Sequence, residues 1–367
     1  MTEQELSAYI QAIRPADEAA MEAARRRQAQ LAKPPGSLGQ LEERSIRLAG
    51  VTGQVCPAMG KCRVAVFAAD NGVVAEGVSC TPPAVTLQQA VNMTFRKTGM
   101  SAMAAAFGDD VSVVDVGIDG DVPPVGVLDR KVRRGTGDIA REDAMTRQQV
   151  LDAMAAGMEQ AARARADGVT ALGIGEMGIG NTTTSAAVLA ALTGADIEAV
   201  TGRGGGLTDE GFLRKKEVLR QALALHRPDG SDVIGVLAGV GGLDLAAMTG
   251  AFLGCAHERV PAAVDGFISI AAALCAVRLC PAVRDVLFLS HDSYEVGYRI
   301  AAETLGLQPC LRLGMRLGEG SGCPLLFRVL EGACGVMRGM ATFGEASIED
   351  SYLDEIRAMD AFTVEGA

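Results

Sequence analysis

A glutamate set among three glycines, Leu317-Gly318-Glu319-Gly320-Ser321-Gly322, is where residue type and spacing first suggest chemistry. The glycines leave its carboxylate unshielded by neighbouring side chains and let backbone pass close to a substrate. Such a carboxylate acts as a general base when a nearly apolar pocket raises its pKa. Leu311, Leu313, Met315, Leu317, Leu325 and Leu326 are candidate walls for that pocket. The same glutamate also reads as a turn residue.

Two more glycine loops suit anions. Segment 169–192, VTALGIGEMGIGNTTTSAAVLAAL, reads as strand, glycine loop and helix. Gly173-x-Gly175-x-x-Gly178 formally matches the dinucleotide fingerprint, with Asp196 about 20 residues further on. Asn181-Thr182-Thr183-Thr184 separates those glycines from the apolar helix, however, and no clear strand precedes Asp196. A nicotinamide-dependent oxidoreductase is therefore kept only as an alternative. The free N–H groups and hydroxyls at this helix start suit one phosphate, although a capped helix after a turn is the plainer reading. The GK[ST] ending of a Walker A loop is absent. The second loop, Thr201-Gly202-Arg203-Gly204-Gly205-Gly206-Leu207, can form an anion-binding nest. Lys215, in the helix that follows, either joins that phosphate or stands as a solvated surface residue.

The elements that must position these loops form an alternating pattern. Residues 63–70, 111–119, 169–176, 232–239, 259–266 and 285–292 are short runs rich in Val, Ile and Leu, read as strands. Helical spacing covers Thr86 to Phe107, Arg147 to Ala166, Thr183 to Leu192 and Glu210 to His226, and before them Ala16 to Ala32 and Leu38 to Leu48. Continuous apolar strands separated by helices predict an α/β fold, with a parallel, Rossmann-like sheet buried on both faces. Five strand readings end in an acid: Asp70, Asp119, Glu176, Asp265 and Asp292. Each alone reads as a cap or turn former. Together they place a ligand site at the carboxyl edge of the sheet.

Composition narrows the classes. The 367 residues carry 34 Lys plus Arg against 45 Asp plus Glu, a net charge of −11, which argues against a phosphate-binding face for nucleic acid. Hydrophobic residues make up 49% and charged residues 22%, enough for a large core. The acidic, amphipathic start is not that of a signal peptide. The apolar run between Asp265 and Arg278 is too short to span a bilayer. Nine cysteines without a CxxC pair, and only three histidines, make a zinc site improbable and predict buried reduced thiols in a cytoplasmic protein.

Seven stretches in order, KPPGSLGQLE (33–42), FAADNGVVAEGVS (67–79), GEMGIGNTTTSAA (175–187), VGGLDLAAMTGAFLGCA (240–256), DGFISIAAAL (265–274), LSHDSYEVGYR (289–299) and RLGEGSGCPL (316–325), resemble the nicotinate-nucleotide–dimethylbenzimidazole phosphoribosyltransferase family. The resemblance runs from about residue 15 to 348. It implies transfer of the phosphoribosyl group of nicotinate mononucleotide to 5,6-dimethylbenzimidazole, without metal or cofactor, by a homodimer. It implies a smaller helical domain from residues 1–60 plus about 310–367, and a large α/β domain over about 61–309. Motif matching puts the catalytic glutamate on Glu319 and the base pocket on Thr81, Gln89, Glu176 and Leu317. The phosphate and ribose contacts fall on Gly178, Asn181, Thr182, Gly204, Gly205, Lys215 and Ser290. Two departures stand out: Asn71 replaces the family's usual histidine, and Cys80-Thr81 replaces a small residue and serine, which bears on the preferred acceptor base. A non-catalytic benzimidazole- or nucleotide-binding protein is the remaining alternative.

Overall fold

In a computed structural model that describes residues 1–355, six parallel strands form one sheet. Residues 356–367, the end of the expected helical domain, lie outside the described residues. The strands are β1 (Cys62–Ala69), β2 (Asp110–Gly117), β3 (Val127–Asp129), β4 (Ala171–Met177), β5 (Ala262–Val264) and β6 (Leu287–Leu289), in the order β3-β2-β1-β4-β5-β6. The chain order reverses between β1 and β4, which pair from Cys62 opposite Ala171 to Ala68 opposite Met177. Loops leaving these two strands diverge to opposite sides and open a crevice at their carboxyl ends.

The helices are α1 (Glu3–Gln11), α2 (Glu18–Gln30), α3 (Gln40–Thr52), α4 (Ala84–Thr94), α5 (Gly99–Phe107), α6 (Arg147–Ala166) and α7 (Asn181–Thr193). They continue with α8 (Ile197–Val200), α9 (Asp209–His226), α10 (Val233–Val240), α11 (Leu243–Glu258), α12 (Phe267–Leu279), α13 (Gly297–Leu305) and α14 (Cys323–Gly339). The α/β class read from the sequence is the observed one. In α11 every residue from Leu243 to Ala256 is buried, and the helix lies directly on α6. Glycines make that approach feasible: a Cβ on Gly157 would fall 1.8 Å from the Ala247 carbonyl, and one on Gly250 would fall 2.0 Å from that of Met154. A smaller cluster of Ala24, Leu31, Ile46, Ala49 and Met337 joins α2, α3 and α14.

Three readings of the elements need correcting. Residues 232–239 are not a strand: they start α10, where the Asp232 carboxylate caps the Gly235 N–H at 3.0 Å. All eight residues of α10 except Gly235 are buried, and a short helix buried on every side has the same continuous apolar run as a buried strand. The helical pattern from Thr86 to Phe107 is two helices, broken where Arg96 takes φ +59° and Thr98 starts α5 with a capping box. The edge strand β3 has no counterpart among the strands read from sequence. Among the described residues no helix is long and apolar enough to cross a membrane. All nine cysteines are free and most are buried, but Cys80 is exposed.

Candidate active site

A cavity of about 220 Å³ opens at the carboxyl ends of β4 and β5. All four residues matched to the base pocket, Thr81, Gln89, Glu176 and Leu317, line it together with Glu319. Gly178, Asn181, Thr182, Gly204 and Gly205 line it as well. Lys215 and Ser290 do not: both are fully buried behind the wall. Of the five strand-end acids, Glu176 and Asp265 reach the cavity. Asp70 instead accepts the Asp119 N–H at 2.8 Å, and Asp292 faces Arg312 at 3.9 Å, both away from it. Cys80 and Thr81 are in the wall, whereas Asn71 sits behind it.

Glu319 owes its position to its loop. Gly318, Glu319 and Gly320 have φ of +81°, +64° and +83°, a left-handed run that is costly for the non-glycine at its centre. The run turns the carboxyl group toward the start of α5, where Oε2 accepts the Met100 N–H at 3.2 Å and Oε1 accepts from the Gln89 amide at 3.4 Å. Burial raises its pKa above the usual carboxylate value, against the Met100 N–H, Thr98 and Gln89, which favour the ionised form. The loop is fixed from below: the Asp265 carboxylate accepts the Gly320 N–H at 3.1 Å and the Gly322 N–H at 2.6 Å.

The apparent dinucleotide fingerprint has a different purpose. Gly173 and Gly175 lie inside β4 rather than in a phosphate loop. A Cβ on Gly173 would fall 2.6 Å from that of Cys323, and one on Gly175 would fall 2.7 Å from the Glu319 carbonyl. These glycines let α14 and the Glu319 loop pack onto the strand.

Next to Glu319 runs a buried polar chain. Glu176 Oε1 accepts the Glu319 N–H at 3.1 Å, and its Oε2 accepts from the Asn181 amide at 2.5 Å. The same Asn181 nitrogen donates to Asp244 at 2.9 Å. Burial pushes Glu176 up to about 8, despite Asn181, with Asp244 adding to the rise. Glu176 is therefore a neutral acid at pH 7. Burial also pushes Asp244 up to about 6, against Asn181, the Leu245 N–H and Asn71. Asp244 was missed from sequence, although a single acid inside the apolar run of α11 was a usable signal.

The other part of the cavity suits an anion. The caps of α7 and α12 are Gly180 and Gly266, so neither helix start has a side-chain cap, and both open into the wall. Uncapped N–H groups with the positive end of the helix dipole attract phosphate or carboxylate. Lys215 is not the solvated surface residue its position in α9 suggested. Its ammonium donates to Thr182 at 2.8 Å and to the Gly202 carbonyl at 3.1 Å. Gly204, at φ +55°, leaves room there: a Cβ on it would fall 2.9 Å from the Thr182 hydroxyl and 3.7 Å from the Lys215 nitrogen. Burial pushes Lys215 down to about 8, with Glu295 opposing. The adjacent Arg214 pairs with buried Glu76, which Arg141 also contacts at 2.7 Å, tying α9 to the loop that carries Cys80 and Thr81. Among the described residues no group of His, Cys, Asp and Glu side chains is placed to hold a metal ion.

Comparison with known proteins bears on this geometry. A family model described as Phosphoribosyltransferase matches residues 13–348. A protein of Clostridium perfringens, named nicotinate-nucleotide–dimethylbenzimidazole phosphoribosyltransferase, is 46% identical over 334 residues, covering 91% of this chain and 92% of that one. One of the same name from Geobacter metallireducens is 46% identical over 347 residues, 94% of this chain and 98% of its own. The crystal structure of CobT from Thermus thermophilus superposes with a TM-score of 0.87 at 44% identity, over 90% of this chain and 99% of that one.

Proposed function

Since this chain belongs to the phosphoribosyltransferase family, we propose that it transfers the phosphoribosyl group of nicotinate mononucleotide to 5,6-dimethylbenzimidazole or a related base, giving α-ribazole 5′-phosphate and nicotinate. The observation that carries the reading is the Glu319 carboxylate, turned by its loop into the same cavity as two uncapped helix starts, with a buried lysine behind them.

Chemistry accounts for the single base. A nitrogen of the acceptor ring attacks C1′ of the ribose, and the C1′–N bond to the pyridinium breaks. The bond pair returns to the pyridine nitrogen, so nicotinate leaves with a neutral ring and needs no general acid. A glycosidase, which expels an oxygen, normally needs a second carboxyl group to protonate it. Attack leaves positive charge on the benzimidazole, and the proton on its other nitrogen passes to Glu319. Direct displacement converts the β-nucleotide to the α-product. The 5′-phosphate serves as the anchor that holds C1′ in line. Gly178, Asn181, Thr182, Gly204 and Gly205 supply that anchor, with Lys215 behind them. Thr81, Gln89, Glu176 and Leu317 hold the acceptor. Ser290 acts from beneath the wall, through its neighbours.

On this reading the protein is a cytoplasmic homodimer that takes small molecules rather than nucleic acid or membrane. Its net charge of −11 and its exposed Tyr294, Val296, Leu313 and Leu317 are in keeping with that. The reading also keeps a smaller domain from residues 1–60 plus about 310–367 and a large one over about 61–309, supported among the described residues by the packing of α2, α3 and α14. The test is nicotinate release from nicotinate mononucleotide, followed by HPLC with a panel of acceptor bases. Release that depends on 5,6-dimethylbenzimidazole, with a matching α-ribotide, is the expected result. No release with any acceptor refutes the reading.

A further inference from the structure

His291 follows β6 and is 1% exposed, yet its ring forms part of the cavity wall. Its contacts favour one tautomer. The Ser290 hydroxyl has one hydrogen, which it donates to the Asp265 carbonyl at 3.2 Å. With that hydrogen on the carbonyl, which can only accept, Ser290 Oγ accepts from His291 Nδ1 at 3.0 Å, the arrangement that makes both contacts hydrogen bonds. The Asp265 carboxylate, 3.8 Å from the same nitrogen, favours a proton there too. Nδ1 is thus the N–H, and in the neutral ring Nε2 holds a free lone pair. Nε2 has no partner among the described residues, and it is not among the side-chain atoms sealed from solvent without one. It lies beside Gly266 and Ser293, both in the wall: a Cβ on Gly266 would fall 3.8 Å from Nε2 and 3.4 Å from the Ser293 hydroxyl.

A buried acceptor that opens only into the cavity selects a donor on the ligand. In nicotinate mononucleotide the carboxylate and phosphate are acceptors, and the O–H donors are the ribose hydroxyls. We propose that His291 is a specificity-determining residue whose Nε2 accepts a hydrogen bond from a ribose hydroxyl of the nucleotide, so that the site distinguishes ribo- from deoxyribonucleotides. This rests on the phosphoribosyl-transfer reading above. Gly322 belongs to the same device: a Cβ there would fall 2.3 Å from Ser290 Oγ and 2.4 Å from His291 Nδ1, so the loop that carries Glu319 also seats the imidazole.

The experiment compares nicotinate mononucleotide with its 2′-deoxy and 3′-deoxy analogues, with 5,6-dimethylbenzimidazole as acceptor. Wild-type kcat/KM falls about tenfold or more for one analogue, the order expected when a buried acceptor loses its only donor. In His291→Asn the shorter amide keeps a donor for Ser290 but lacks the group at Nε2, and the ribo-to-deoxyribo ratio collapses toward one. His291→Gln, whose amide reaches the Nε2 position, restores part of the ratio. A merely structural role would lower all three substrates together. Equal wild-type kcat/KM for the three nucleotides overturns the inference without any variant, and so does an unchanged ratio in His291→Asn. No wild-type release from nicotinate mononucleotide overturns the phosphoribosyl-transfer reading and this inference with it, whereas release without discrimination overturns this inference alone.

Discussion

Replacing Gly175 with alanine inserts a methyl group between β4 and the loop that carries Glu319. The added Cβ would lie 2.7 Å from the Glu319 carbonyl oxygen and 2.8 Å from both Cα and N of Gly320. All three are backbone atoms, so no side-chain rotation relieves the clash. β4 cannot retreat, because it is paired with β1 on one side and β5 on the other. The loop has to move instead, by about 0.7 Å to bring 2.7 Å up to the ordinary contact distance of 3.4 Å. That shift strains the bonds from Asp265 to the Gly320 and Gly322 N–H groups and from Glu176 to the Glu319 N–H. The Glu319 carboxylate moves with its backbone. A misplacement approaching 1 Å costs on the order of 10²-fold in rate, while overpacking costs about 1–3 kcal/mol in stability.

Gly175→Ala should therefore stay folded, with a melting temperature a few degrees lower, and release nicotinate about a hundredfold more slowly. Gly332→Ala on α14 is the control, since a Cβ there meets nothing within 4 Å. It should leave turnover unchanged and raise stability slightly through helix propensity. Folded Gly175→Ala with a rate within about threefold of wild type would refute both the packing argument and the place it gives Glu319.

Glu319→Gln removes the base while keeping the shape, and should lower turnover about 10²–10⁴-fold, with nucleotide binding by calorimetry little changed; a near-wild-type rate would take Glu319 out of the chemistry. Glu176 is raised to about 8 in the fold from 4.5, so between those values the unfolded chain ionises while the folded one keeps its proton. Its contribution to stability is complete below about 4.5 and is lost as pH rises through about 8; melting curves of Glu176→Gln should show a shallower fall across that window, and an identical slope would show Glu176 ionised in the fold. Lys215, pushed down to about 8, must be protonated to add positive charge behind a phosphate held by Thr182 and Gly204, so on the proposed reading affinity for nicotinate mononucleotide should fall as pH rises through about 8. Lys215→Met should bind weakly at every pH and lose that dependence, which titration calorimetry at several pH values would reveal.

Sequence made the α/β class legible because parallel strands buried on both faces give continuous apolar runs separated by helical spacing. Glu319 was legible as a candidate, since a glutamate among glycines reads either as a base or as a turn residue, and the cavity wall is where it lies. Lys215 was not: a lysine at that place in α9 looks solvated, and only the approach of Gly202 and Thr182 from other segments buries it. Asn181 was visible as a helix start, but its joining of Glu176 to Asp244 depends on β4 and α11 converging. The residues of 232–239 were misread for want of any exposed face to reveal a period. Gly173 and Gly175 matched a motif whose glycines serve phosphate, but here they admit another part of the chain. His291 and its protonated nitrogen follow from Ser290, Asp265 and Gly322 meeting at one point, a convergence that spacing along the chain does not encode.

Glu176, Asp265 and Glu319 line this cavity, Asp244 is joined to Glu176 through Asn181 behind it, and burial raises the pKa of each. Burial therefore does not decide which one takes the proton. Hydrogen bonding does. Glu176, raised to about 8, already carries a proton near neutral pH and has no place for another. The oxygens of Asp265 hold the loop at 3.1 and 2.6 Å. Asp244 is bound at 2.9 Å on each side. Glu319 alone has two long contacts, 3.2 Å to the Met100 N–H and 3.4 Å to Gln89. Asp244 and Asp265 accept on both oxygens, and protonation would cost them those bonds, so their neighbours resist the change. On the proposed reading it is Glu319, with its longer contacts, that takes the proton from the substrate at little cost to the framework. The three tightly bound acids and Asn181 fix the loops, and the left-handed turn at residues 318–320 holds Glu319 where the proposed chemistry needs a base.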